Sequence, residues 1–122
     1  MAVQLRQLPI WRDANRFLLA IEQVVKTFPR YHKYTLGTEL RKNALTLCNL
    51  IHRAWHEKDQ TCQLLKQFKY CIDEIKIQLH LAKKLEAYPS FSTFEFLSLQ
   101  AVQLGKQNGG WYKAKCKSGQ NG

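Results

Sequence analysis

The chain has 122 residues, of which 45% are hydrophobic, and these values are typical of one folded domain rather than of a disordered chain. No apolar run approaches the roughly 20 residues that cross a bilayer, and the first residues lack the apolar core of a signal peptide. We therefore expect a cytoplasmic protein without a membrane segment. Nineteen Lys and Arg against nine Asp and Glu give a net charge of +10, which favours a polyanionic partner, most often nucleic acid.

The hydrophobic pattern predicts four helices, and the first of them spans Pro9 to Phe28. Proline suits the first helical position because its missing N–H has no partner there, and Pro29 ends the helix by forcing the preceding residue out of the α region. The apolar residues recur every three or four positions, as in the seam of a helix bundle. The predicted seam consists of Ile10, Ala14, Phe17, Ile21, Val24 and Phe28.

The second helix is predicted from Thr35, a candidate N-cap, to about Glu57. Gly37 falls in its first turn, where a glycine permits the close approach of another part of the chain. The predicted core stripe of this helix consists of Leu36, Leu40, Ala44, Leu47, Ile51 and Ala54.

The third helix is predicted to follow Asp59, a second candidate N-cap, and to reach Ala87 before Pro89 stops it. Its main stripe consists of Leu64, Phe68, Cys71, Ile75, Leu79 and Ala82. A second apolar set consists of Leu65, Ile72, Ile77, Leu81 and Leu85. This helix is therefore expected to be apolar over more than one face.

The fourth helix is predicted from the capping-box pattern of Ser92 and Glu95, and it should end near Asn108 with Gly109 as the residue after the cap. Residues 1–110 would then form the bundle, and residues 111–122 a short, basic, mobile tail. Because short connections favour antiparallel neighbours, we predict an all-α, up-down-up-down four-helix bundle.

Several aromatic and apolar residues exceed what one inner seam needs. They are Tyr31, Tyr34, Tyr70, Tyr88, Phe91, Phe96, Leu99 and Leu104. Single residues of this kind occur on ordinary protein surfaces, but their density in the segment FSTFEFLSLQAVQL favours self-association.

The four cysteines form no C-x-x-C pair, and we expect all of them to be reduced because disulfides are rare without a secretory signal. Cys48, Cys62 and Cys71 lie on predicted helices and are expected to be small core or boundary residues. Cys116 is expected to be a free, exposed thiol in the tail.

The best candidate metal ligands are Cys48, His52 and His56, at positions i, i+4 and i+8 of the second helix. A structural site needs about four ligands, and the sequence supplies neither a fourth nor a nearby general base. We therefore favour a polar helix flank and predict no metal site and no cofactor. Because no nucleophile–base pair or phosphate-binding glycine loop can be defended from spacing, we also expect no catalytic residues.

Lys and Arg recur in every predicted helix, and their contacts with phosphates would give salt-dependent, largely sequence-independent binding. The predicted contact set consists of Arg12, Arg16, Arg30, Lys33, Arg41, Lys42, Arg53, Lys83 and Lys84. Tyr31 and Tyr34 stand beside Lys33 in the first connection, where their rings would either stack on unpaired bases or cap the end of the bundle.

Four segments, taken in order, resemble one family of small four-helix proteins. They are FPR at the end of the first helix, YTLGTELRKNAL at the start of the second, IDEIKIQLHLAKKL in the third and LGKQNGGW at the close of the fourth. Together they are similar to the accessory variability determinant (Avd) proteins of diversity-generating retroelements, and to relatives encoded within ribosomal RNA intervening sequences.

The resemblance implies a positively charged, ring-shaped homopentamer of four-helix protomers. Avd proteins bind the reverse transcriptase of the retroelement and contact template RNA or its DNA product, supporting mutagenic copying. The alternative, implied by the second branch of the family, is a stand-alone RNA-associated bundle without a polymerase partner. The high positive charge favours the Avd branch.

Overall fold

The computed structural model describes residues 3–117, the last of them by its backbone alone, and it contains four long helices. These are α1 (Pro9–Val25), α3 (Leu36–His56), α4 (Thr61–Lys84) and α5 (Phe91–Tyr112), with a short helix α2 (Arg30–Lys33) in the first connection. Two 3₁₀ turns (Leu5–Gln7 and Lys58–Gln60) precede α1 and α4, and a π-helical turn (Lys113–Lys117) follows α5. Within residues 3–117, no helix combines the length and the hydropathy that crossing a bilayer requires.

The four long helices form an antiparallel bundle that closes on itself. Helix α1 packs against α3, α3 against α4, α4 against α5, and α5 returns to α1. Asn43 donates a hydrogen bond to Gln78 between α3 and α4 (3.1 Å), and Asn108 donates one to the carbonyl of Leu65 between α4 and α5 (3.2 Å). The predicted all-α four-helix bundle is therefore confirmed. We call the end with the α1–α3 and α4–α5 connections the upper end, and the end with the α3–α4 connection the lower end.

The core contains the predicted seam of α1 with one change. Val25, rather than Val24, is buried at the end of the helix, and Val24 is only half-buried. Helix α1 also ends at Val25, three residues before the predicted end, and the N–H groups of Thr27 and Phe28 bond to the carbonyls of Val24 and Val25 (2.9 and 3.0 Å) in a tighter, 3₁₀-like turn. Val25 packs against Gly37 of α3, so contact with α3 buries Val25 in place of Val24, and Phe28 is buried as predicted.

The main stripes of α3 and α4 are confirmed, except that Leu36 is only half-buried. In the second apolar set of α4, Leu65 and Ile72 are buried, whereas Ile77, Leu81 and Leu85 are exposed. Only the part of that second set that faces α5 therefore joins the core.

The predicted starts of α1 at Pro9 and of α3 after Thr35 are confirmed, but the predicted capping interactions differ. Ser90, not Ser92, caps α5, and its hydroxyl accepts a hydrogen bond from the N–H of Thr93 (3.4 Å). Asp59 lies in a 3₁₀ turn before α4 rather than at its N-cap. Thr35 does precede α3, but its hydroxyl donates to the carbonyl of Tyr31 (2.8 Å) instead of capping.

Helix α4 ends at Lys84, three residues before the predicted end. Glu86 adopts the left-handed conformation (φ 56°), and the N–H of Ala87 bonds to the carbonyl of Ala82 at 2.9 Å. The N–H of Glu86 also bonds to the carbonyl of Lys83 at 3.0 Å. These two bonds form a Schellman motif, which stops the helix before Pro89 is reached.

Helix α5 does not end at Asn108 but continues through Gly109 and Gly110 to Tyr112. Neither glycine has a positive φ, so neither acts as the left-handed residue that ends a helix. Trp111 and Tyr112 pack against the core, so this part of the predicted tail is ordered helix. Residues 118–122 of that tail lie outside the described residues.

A disulfide joins Cys62 to Cys116, with their Cα atoms 5.7 Å apart, and it overturns the expectation that both were reduced. Cys116 is buried rather than exposed. The pairing spans 54 residues of sequence and depends on the antiparallel packing of α5 on α4, which spacing alone does not reveal. Cys48 and Cys71 are free and buried, as predicted.

Gly37→Ala should destabilise the bundle, because the added Cβ would lie 2.7 Å from Val25 Cγ1 and 3.2 Å from the carbonyl oxygen of His32. We expect a loss of about 1–3 kcal/mol in the free energy of unfolding, measured by urea denaturation with circular dichroism. Gly105→Ala is the matched control: its nearest neighbours would lie at 3.7 Å, so it should be neutral or stabilising by up to about 1 kcal/mol. Equal effects at both positions would contradict the close packing of Gly37.

Reducing the disulfide should lower stability by about 4 kcal/mol, because the cross-link restricts an unfolded-chain loop of 54 residues. The measurement is urea denaturation with and without dithiothreitol, with a thiol assay to show reduction. The variant Cys62→Ser/Cys116→Ser should resemble the reduced protein and respond no further to the reductant. An unchanged unfolding midpoint after complete reduction would show that the cross-link does not stabilise the fold.

Candidate nucleic-acid interface

The nine predicted contact residues are divided between the two ends of the bundle. Arg12, Arg16 and Arg53 lie in the lower half, near the start of α1 and the end of α3. The upper half carries Arg30, Lys33, Arg41, Lys42, Lys83 and Lys84, on α2, the start of α3 and the end of α4. The antiparallel arrangement therefore brings the loop residues and the end of α4 to one end, which sequence order does not indicate.

Four of the nine cations stand beside carboxylates. The pairs are Arg16–Asp13 (3.6 Å), Arg41–Glu22 (2.8 Å), Lys42–Glu39 (3.9 Å) and Arg53–Glu57 (2.9 Å). Ion pairs at exposed positions are weak, so a phosphate can compete for the cation. These four residues remain available to a polyanion, at the cost of breaking a pair.

Arg53 is the most firmly engaged of the nine. Its Nε lies 2.9 Å from Glu57 Oε2 and its Nη2 lies 3.3 Å from Oε1, so the pair is bidentate. This hydrogen bonding raises the pKa of Arg53 and lowers the pKa of Glu57. Arg53 is therefore the least free of the predicted contacts.

The other five cations have no carboxylate within 4.0 Å among the described residues: Arg12, Arg30, Lys33, Lys83 and Lys84. Lys83 instead lies over the rings of Phe91 and Phe94, with its Nζ 5.8 Å and 4.8 Å from their centroids. The upper end thus presents several uncompensated positive charges around exposed aromatic residues.

Tyr31 and Tyr34 do not cap the bundle, since their side chains are 76% and 67% exposed. Phe28 and Tyr88 fill that role: their rings pack edge to face at 5.5 Å, and the Tyr88 hydroxyl donates to the carbonyl of Leu79 (2.8 Å). Burial raises the pKa of Tyr88. Both tyrosine rings are therefore accessible for the stacking role that the sequence left open, and the Tyr31 ring packs edge to face with His32 at 5.5 Å.

The stripe of Cys48, His52 and His56 does not converge. Each step of four residues turns the helix by about 40° beyond a full turn, so the stripe runs from a buried thiol to two exposed rings. The histidine rings lie 4.6 Å apart, and desolvation raises the pKa of Cys48. Within residues 3–117, no three His, Cys, Asp or Glu side chains form a group that suits a metal ion.

Two of the apolar residues predicted to lie on the surface do not. Leu104 is buried in the core, and Tyr88 is partly buried. The remaining members are exposed, namely Tyr31, Tyr34, Tyr70, Phe91, Phe96 and Leu99. Three of these six residues, Phe91, Phe96 and Leu99, lie on α5 and face away from the core of the bundle.

A basic groove between α4 and α5 was missed as a site in the sequence, although its lysines were visible. Two cavities of about 440 and 360 Å³ meet there, and both are lined by Lys69, Asn108 and Gly109. Lys66, Lys76 and Lys106 complete the basic lining. The spacing of the lysines along α4, set beside the glycines of α5, is the signal that could have indicated it.

No protein-family model matches this chain, and no curated protein matches it. The resemblance to the Avd proteins therefore depends on the four sequence segments and their order.

Proposed function

We propose that this chain is a non-catalytic adaptor that binds the reverse transcriptase of a diversity-generating retroelement together with template RNA or its DNA product. The observation that carries the proposal is the net charge of +10, displayed on a small helical bundle. Arg12, Arg30, Lys33 and Lys84 stand clear of carboxylates, so they are ready to contact phosphates. The adaptor would concentrate nucleic acid beside the polymerase.

The first two segments that resemble the Avd proteins, FPR and YTLGTELRKNAL, contain closely packed positions, and this supports the proposal. Phe28 is buried, and Gly37 is packed so closely against Val25 that a larger residue would clash. Between them, Arg30 and Tyr31 are exposed at the upper end. The motif therefore combines a packed scaffold with a solvent-facing basic and aromatic turn.

For the proposed homopentamer, we place the subunit contacts on the outward side of α5. Phe96 and Leu99 are exposed there, three residues apart on the helix. Contiguous exposed apolar side chains are a common feature of surfaces that are covered in an assembly. The charged upper and lower ends would stay open to nucleic acid and polymerase.

The adaptor role is tested by co-expression with the reverse transcriptase of the same element. Size exclusion with light scattering, after nuclease treatment and in high salt, should show a stable co-eluting complex. If the bundle elutes alone in high salt, and also in low salt with RNA restored, the polymerase partner is wrong. Continued RNA binding in that case would favour the stand-alone RNA-associated bundle.

Arg12→Glu/Arg16→Glu should weaken binding to nucleic acid by about tenfold or more, because two phosphate contacts become repulsive. The measurement is fluorescence anisotropy at several salt concentrations, and the slope of log affinity against log salt should become shallower by about two. Arg6→Glu/Lys26→Glu makes the same change of charge at exposed positions outside the predicted contact set. If both variants lose the same affinity, the loss is due to net charge alone, and the assignment of Arg12 and Arg16 to the interface is wrong.

A further inference from the structure

The groove between α4 and α5 has a floor made of small residues. Gly105 and Gly109 lie one turn apart on the same side of α5. A Cβ at Gly109 would meet no heavy atom within 4 Å, and one at Gly105 would meet only Ile72 and Lys76 at 3.7 Å. Since glycine disfavours the interior of a helix, the packing of the bundle does not explain these two residues. What they provide is open space between the two helices.

The walls of this groove are positively charged. Lys66, Lys69 and Lys76 stand along α4, and Lys106 stands on α5. Among the described lining residues, Asp73 is the one carboxylate, and it is paired with Lys69 at 3.3 Å. From Lys66 to Lys76 the lysines of α4 extend over ten residues, or about 15 Å of helix, so they suit an extended ligand better than a single small anion.

The groove also offers an aromatic ring. Tyr70 is 71% exposed at its rim, where the ring is available to a planar group. Asn108 lies below the surface of the groove and is only 4% exposed. Its Nδ2 donates to the carbonyl of Leu65, and its Oδ1 is buried without a hydrogen-bond partner, which is uncommon in a folded protein.

We propose that the α4–α5 groove binds a single strand of nucleic acid. The phosphates follow Lys66, Lys69, Lys76 and Lys106, and an unpaired base stacks on Tyr70. A duplex hides the faces of its bases, and an acidic peptide uses the lysines but not the ring, so the single strand is the ligand that uses both the lysines and the ring. The inference rests on the proposed function and names a strand-binding site separate from Arg12 and Arg16.

The sharpest test fills the groove without changing its charge. Gly109→Leu places a side chain on the floor, where the new Cβ has free space and the helix gains a better helix former. Gly110→Leu is the matched control, because the next residue also has free space but lines a different cavity, beside Pro9 and Trp55. Anisotropy with labelled oligo(U) and oligo(dT) should show about a tenfold or greater loss for Gly109→Leu, and less than a twofold change for Gly110→Leu.

Two further variants separate the parts of the groove, and a third is their control. Tyr70→Leu should lower the affinity for single strands by about fivefold or more and leave the salt dependence unchanged, since it removes stacking alone. Lys66→Gln/Lys106→Gln should lower the affinity and make the salt slope shallower. Arg6→Gln/Lys26→Gln removes the same charge elsewhere and should have a smaller effect. If Gly109→Leu fails to fold, the groove is tested by comparing the affinities of Lys66→Gln/Lys106→Gln and of its control Arg6→Gln/Lys26→Gln.

The outcomes distinguish this inference from the proposed function. If the wild-type protein binds neither RNA nor DNA, the nucleic-acid part of the proposed function fails and the groove fails with it. If the wild type binds and the groove variants bind equally well, the groove is wrong and the proposed function stands. If those variants keep nucleic acid but lose binding to a polyglutamate peptide, the groove binds an acidic protein segment and the inference is overturned.

Discussion

The fold depends on the burial of one apolar stripe from each of four antiparallel helices in a shared core. Phe17 and Phe68 are fully buried at its centre, and the ring of packed helices closes because α5 returns to α1. Most of the charged side chains are consequently excluded to the outside, where a net +10 repels itself. The core has to outweigh that repulsion, and a polyanionic partner would relieve it.

Within this core, a few polar contacts between helices help to align them. Gln78 and Asn108 are buried, and each makes a hydrogen bond to a neighbouring helix. Since a buried polar group is costly when unpaired, these contacts disfavour sliding of α4 against α3 and α5. The disulfide between Cys62 and Cys116 also links the start of α4 covalently to the turn that follows α5, at the lower end of the bundle. The alignment of α4 with α5 is what places the lysines of one helix beside the glycines of the other.

The two candidate surfaces differ in how they arise. The cations of the upper end lie on α2, on the first turns of α3 and on the last turn of α4, so their grouping follows from helix ends meeting. The α4–α5 groove lies along the bundle, and its shape follows from missing side chains at Gly105 and Gly109. The first surface follows from the antiparallel order of the helices, which brings these helix ends together. The second needed the pairing of α4 with α5, because neither helix contains the groove alone.

By itself, the sequence determined the number of long helices, most residues of the main seams and the positive charge, because these depend on periodicity and composition. It did not indicate the short helix α2, which lies in the predicted first connection. It placed Ile10, Phe17 and Phe68 in the core correctly, and it missed Val25, which is buried by its packing against Gly37 of α3. Only the tertiary structure decided that Cys62 meets Cys116 and that α5 continues past Gly109. Such contacts depend on the rotation and register of helices far apart in the chain, which local patterns do not encode.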